Sequence, residues 1–68
     1  MKTNPQVRLA NEMALQFRGQ PAERAGAAIA HHIRQFWDPR MRADLLRRVA
    51  DNPSDVDPLV LAAVPHLS

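Results

Sequence analysis

The sequence predicts an all-α fold, a small three-helix domain followed by a short fourth helix at the C-terminal end. Three observations carry that prediction. Apolar residues recur three and four positions apart in three successive segments, the spacing that lines one face of a helix. Asn4-Pro5, Asp38-Pro39 and Asp57-Pro58 each set a capping side chain directly before a proline, whose missing N–H costs nothing at the first helical position. The apolar 46% of the chain leans on alanine, with Phe17, Phe36 and Trp37 as its aromatics, and such a composition favours closely packed helices.

Helix one is expected from Asn4 to about Arg18. Val7, Ala10, Met13, Ala14 and Phe17 share an arc, Arg8, Glu12 and Gln16 lie opposite, and Arg8 can pair with Glu12 one turn on. Leu15 falls outside the apolar arc, where the C-terminal tail could cover it. Gly19 supplies a left-handed terminator, and Pro21 opens helix two, expected over 21–37 with Ala22, Ala25, Gly26, Ile29, Ile33 and Phe36 on its buried stripe. Gly26 costs about 1 kcal/mol against alanine inside a helix, which makes sense if a neighbouring backbone comes close there, and Ala30 extends the shallow patch.

Asp38-Pro39 stops helix two and starts helix three, because a residue before proline is pushed out of the α region. Trp37 sits at this corner, either as a wedge between the helix axes or as an exposed anchor. Helix three is expected over 39–50, with Met41, Leu45, Leu46 and Val49 inward, Arg42 in the middle of that apolar arc, and Asp44 laced at helical spacing to Arg40, Arg47 and Arg48. Asn52 to Asp57 reads as a flexible link. The run Leu59 to Val64 is expected as a helix over 58–64 ended by Pro65, with a strand added to a partner's sheet as the alternative. As a helix it has no polar face, so one side must be hidden against its own domain and the other elsewhere.

The 68 residues are expected to form one domain, and a chain of this size buries only about 60% of its unfolded surface, so the core is thin and a partner would help it. The absence of cysteine excludes disulfide staples, thiolate-held zinc or iron–sulfur clusters and cysteine nucleophiles. No apolar run approaches the roughly 20 residues of a membrane span, and Met1 to Gln6 lack the apolar stretch of a signal peptide, so a cytoplasmic location is expected.

No catalytic, cofactor-binding or metal-ligating residue is assigned. Ser54, Ser68, Thr3 and Lys2 lie in a turn or near the termini, where no base is held beside them. His31 and His32 point about 100° apart on a helix, whereas paired metal ligands stand four apart, and Asp55 and Asp57 are explained as turn and cap residues. The main electrostatic feature is the stretch from His31 to Arg48, with five arginines, two aspartates and a local charge of +3. Nucleic-acid binding would use such a face, but the net charge is only +2, Asp44 interrupts it, and the Asp38-Pro39 corner is shorter than the turn of a helix-turn-helix. Arginine and tryptophan also favour protein interfaces, and on that reading Arg34, Trp37, Arg40, Met41 and Arg42 form a docking corner with Leu15 as an outlying contact.

Two runs, Arg8-Leu9-Ala10-Asn11 and His32-Ile33-Arg34-Gln35-Phe36-Trp37-Asp38-Pro39-Arg40-Met41-Arg42, resemble the delta subunit of NAD-dependent formate dehydrogenase over roughly residues 7–50. The resemblance implies membership of a soluble complex that oxidises formate to carbon dioxide and passes electrons to NAD. Molybdenum cofactor, iron–sulfur clusters, FMN and NAD would be held by other subunits and none by this chain. The implied role is that of a non-catalytic accessory subunit that docks on the larger subunits and supports assembly or stability. A small basic helical nucleic-acid-binding or regulatory domain is the alternative, and the isolated chain could self-associate to hide apolar surface.

Overall fold

The computed structural model describes residues 4–67, so Lys2, Thr3 and Ser68 lie outside the described residues. Four α-helices follow one another, α1 (Pro5–Leu15), α2 (Ala22–Phe36), α3 (Pro39–Asp51) and α4 (Pro58–Ala63), with 3-10 turns at Pro53–Asp55 and Val64–His66. No strand occurs among the described residues, and Leu59 to Val64 is helical rather than extended.

The three Asx-Pro pairs act as the sequence demands. The Asn4 Oδ1 accepts from the N–H groups of Gln6 and Val7 at 2.9 and 3.2 Å, Asp38 Oδ1 from Met41 at 2.9 Å, and Asp57 Oδ1 from Leu59 at 2.9 Å. Each relieves a free backbone donor at a helix start. The Arg8 Nε donates to Glu12 at 3.4 Å across one turn.

α1 ends at Leu15 and not at Arg18. The N–H groups of Gln16, Phe17 and Arg18 reach back three residues to Met13, Ala14 and Leu15, tightening the last turn before Gly19 takes a φ of +95°. α2 starts and stops one residue inside the expected 21–37, and α3 runs one residue further than expected. Pro65 does not end the C-terminal structure, because it sits at the start of a 3-10 turn where its absent N–H is tolerated.

The core joins Val7, Ala10 and Ala14 of α1, Ile29, Ala30 and Ile33 of α2, Trp37, Leu45 of α3, Val56, and Val60 and Ala63 of α4. α4 lies along α2 at the shallow patch. A Cβ built on Gly26 would stand 2.7 Å from the carbonyl carbon, 2.8 Å from the carbonyl oxygen and 2.9 Å from the Cβ of Ala62, so only glycine lets the two helices meet this closely. With Val60 and Ala63 buried and Leu59, Leu61, Ala62 and Val64 half-buried, the apolar run keeps no bare outer face.

Residues 52–57 are not a free link. Ser54 Oγ and Asp55 Oδ2 bond to the Asn52 side chain at 2.8 and 2.9 Å, and Asn11 clamps the segment to α1, donating from Nδ2 to the Asp55 carbonyl at 3.1 Å and accepting the Asp57 N–H at 2.9 Å. Arg18 Nη2 adds an ion pair with Asp57 at 3.5 Å. The body measures 29 × 24 × 17 Å. Its thinnest dimension is less than two helix diameters of about 10 Å, so each helix is covered on few sides.

Candidate functional site

The corner between α2 and α3 is built by one tripeptide. Trp37 closes α2 with its N–H on the Ile33 carbonyl at 2.9 Å, Asp38 caps α3, and Pro39 begins it. The indole is only 9% exposed and belongs to the core cluster, which makes it the wedge between the two helices. Its edge still borders a groove on the α1 side. Met41 is half-buried and packs on the core, Arg34 and Arg40 stand in solvent, and Arg42 is half-buried.

The arginines of this corner are not laced to acids. The side chain of Asp38 is engaged by the Met41 N–H, and Asp44 Oδ2 accepts Asn4 Nδ2 at 3.0 Å instead of pairing with Arg40, Arg47 or Arg48. Among the described residues the two ion pairs, Arg8–Glu12 and Arg18–Asp57, both involve α1 or the turn after it. All five guanidinium groups between His31 and Arg48 are therefore without an ion-pair partner among the described residues. Arg42 holds its charge inside an otherwise apolar arc, where its stem can be covered while its head reaches outward.

Leu15 is not covered by the C-terminal tail. It is 57% exposed and borders an open groove of about 1160 Å³ between α1 and residues 54–58, shared with Arg18, Arg48 and Asp55. None of the corner residues borders that groove, so Leu15 and the corner form separate surfaces.

Phe36 and Ala22 depart from the expected stripe. Both lie on the arc of Ile29 and Ile33, yet Ala22 is exposed and Phe36 is 70% exposed, because each sits at an end of α2 that no other element among the described residues covers. The Phe36 ring stacks on His32 one turn back, with centroids 4.6 Å apart and planes tilted by 36°. Beside it, Leu9, Met13 and Phe17 of the first helical segment face His32 and Trp37 across a groove of about 310 Å³. Leu9 is itself 46% exposed. Helical periodicity identifies the stripe but not where its cover stops, and Leu9 carries no sequence signal beyond being a leucine off the apolar arc.

No group of three or more histidines and carboxylates that could hold a metal ion occurs among the described residues, and none of their helices is long and apolar enough to cross a membrane. Fold and surface together define a small all-α domain with an unpaired cationic corner and a bare apolar edge. Over residues 6–64 the sequence matches the family described as NADH-dependant formate dehydrogenase delta subunit FdsD, and the chain belongs to that family. Comparison with curated proteins and with solved structures gave no match.

Proposed function

We propose that this chain is a non-catalytic accessory subunit of a cytoplasmic, molybdenum-containing NAD-dependent formate dehydrogenase complex, docking on the larger subunits and supporting assembly or stability. The observation that carries this reading is the family match over residues 6–64. Without cysteine the chain has no thiolate for an iron–sulfur cluster, so in this reading the clusters, the molybdenum cofactor, FMN and NAD belong to the other subunits. The unpaired arginines at the corner support a docking role, since guanidinium groups without internal partners are available for forked bonds to carboxylates of another chain. Arg34 and Arg40 then act as exposed charge anchors, Arg42 as a half-buried one, with Met41 and Trp37 holding the corner rigid behind them.

The test is recovery of a tagged copy from the native host, with the co-purifying chains identified by mass spectrometry and formate-dependent NAD reduction followed in its presence and absence. The larger subunits should co-purify, and loss of this chain should lower the amount of assembled complex. Recovery of the chain alone, with the larger subunits assembling and turning over equally well without it, would refute the reading. Salt separates the nucleic-acid alternative, because phosphate contacts give a steep dependence of affinity on ionic strength and a packed apolar interface a shallow one.

A further inference from the structure

We infer that the outward face of α3 seats an acidic amphipathic helix of a larger subunit, with Leu46 as its central apolar contact and Arg42 and Arg47 taking carboxylates on the two sides. This rests on the accessory-subunit reading and adds which face docks and what chemistry it meets.

The first support is how little of α3 its own domain covers. Leu45 is the one buried residue of its 13, whereas five of the 15 residues of α2 are buried. Met41 and Val49 pack on the core on either side of Leu45. Leu46, about 100° further round the helix, is half-buried and belongs neither to the core nor to the apolar residues packed on it. The side of α3 turned from the core is therefore not a polar one.

The second support is spacing. Pro39, Ala43, Leu46 and Ala50 follow one another at steps of four, three and four residues, and all but Leu46 are exposed. That is the order of contacts along a seam covered by a second helix, whose ridge inserts around one large side chain.

The third support is charge. At about 100° per residue, Arg42 lies about 40° from Leu46 on one side and Arg47 about 100° from it on the other, and no carboxylate of α3 falls in the arc between these arginines. Neither guanidinium has a hydrogen bond or ion pair among the described residues. The acids of the helix keep their charge but stand elsewhere. Asp38 borders Pro39 and Arg40 at the N-terminal end, so Arg40 carries no part of the argument. Asp44 and Asp51 lie about 40–60° beyond Arg47, on its far side from Leu46, and Asp44 accepts from Asn4. An apolar line with a cation on each flank has its complement in an apolar ridge with an acid on each flank. A second copy of the chain would set arginine against arginine in either direction of packing, and a polynucleotide would press its phosphates onto Leu46.

The experiment places a photo-crosslinking residue at the exposed end of the seam, Ala50→p-benzoylphenylalanine, in the full chain, purifies the complex from the native host and maps the product by mass spectrometry. The expected product is a peptide of a larger subunit with apolar residues at helical spacing and aspartates or glutamates beside them. A crosslink to a second copy of this chain, to nucleic acid or to a peptide without acidic residues, or none at all in an intact complex, would overturn the inference. In parallel, Arg42→Glu and Arg47→Glu should each be lost from the complex at least about tenfold faster during washing, while Arg24→Glu, the same change of charge at an exposed position of α2, should be retained. Lysine in place of the acids of the crosslinked peptide should restore retention of Arg47→Glu. Circular dichroism of the free chain shows whether each variant folds; Arg47 is exposed, so its reversal decides if Arg42→Glu does not fold or if the crosslinking residue blocks assembly. Retention of folded Arg47→Glu equal to that of the parent overturns the proposed seat but leaves the accessory role standing. Failure of the unsubstituted chain to co-purify removes the accessory role, and the inference with it.

Discussion

Gly26 is where the packing can be tested most sharply. Adding one methyl group places a carbon 2.7 and 2.8 Å from the carbonyl carbon and oxygen of Ala62, against an ordinary contact of roughly 3.4 Å or more, so α4 must retreat by about 0.7 Å. The obstacle is backbone, which cannot rotate away as a side chain would. Retreat also loosens Val60 and Ala63, both fully buried on the same short helix. Overpacking of this kind costs about 2–3 kcal/mol, and the better helix propensity of alanine returns about 1 kcal/mol, leaving a net loss of about 1–2 kcal/mol for Gly26→Ala. In a domain of this size that lowers Tm by roughly 5–15 °C. Thermal unfolding of the free chain followed by circular dichroism measures it, with Ala27→Gly, at an exposed position of the same helix, calibrating propensity alone. Ala62→Gly should rescue Gly26→Ala only partly, because it removes the Cβ contact at 2.9 Å and leaves both backbone contacts. A rise in Tm for Gly26→Ala would show that α4 does not lie against the glycine, and full rescue by Ala62→Gly would show that the Ala62 methyl alone, and not its backbone, makes the contact.

Other substitutions follow from the same coordinates. Trp37→Ala should cost about 3–5 kcal/mol by emptying the wedge, enough to abolish a cooperative melt in the free chain and retention in the complex alike. Asn11→Ala should cost about 1–2 kcal/mol, and hydrogen exchange at the Asp57 amide should accelerate markedly, since both bonds of the clamp vanish together. Arg42→Ala should leave helical content nearly unchanged and weaken retention by the larger subunits, by about 2–5 kcal/mol if the pair is buried in the complex; co-purification equal to that of the parent with an earlier melt would assign the residue to the internal fold.

The starts of α1, α3 and α4 were legible because an Asx-Pro pair is a local device: the cap, the backbone N–H that donates to it and the proline sit within four residues, and no tertiary contact is required to read them. Gly26 was legible for a related reason, since a glycine inside a strong helical stripe is costly unless something occupies the space. Phe36 was misread because periodicity reports a direction around the helix and says nothing of where the covering elements end along it. Asp44 was assigned to arginines by spacing, yet Asn4, forty positions away, holds it. Asn11 left only a faint trace, a poor helix former in mid-helix, and its work lies in bonds to residues that periodicity cannot bring near. Of the corner between α2 and α3, the charge was readable from the order of residues alone; that the charges stand unpaired among the described residues depended on which acids the fold had already engaged.

The polar clamps on α1 have a consequence for how the chain comes to be folded. Asn4 to Asp44, Asn11 to Asp55 and Asp57, and Arg18 to Asp57 join positions 39 to 46 apart, and the closest helix contact, at Gly26, awaits a residue beyond position 60. Closing loops of that length comes before any of these bonds can form, so the search is non-local for so helical a protein and its folding should be slower than that of a simple helical bundle. During synthesis the first three helices emerge with their stripes open, and the fold can lock only when residues 56 to 63 have cleared the ribosome. On the accessory-subunit reading, a larger subunit would meet the finished surface only after α4 has closed against Gly26.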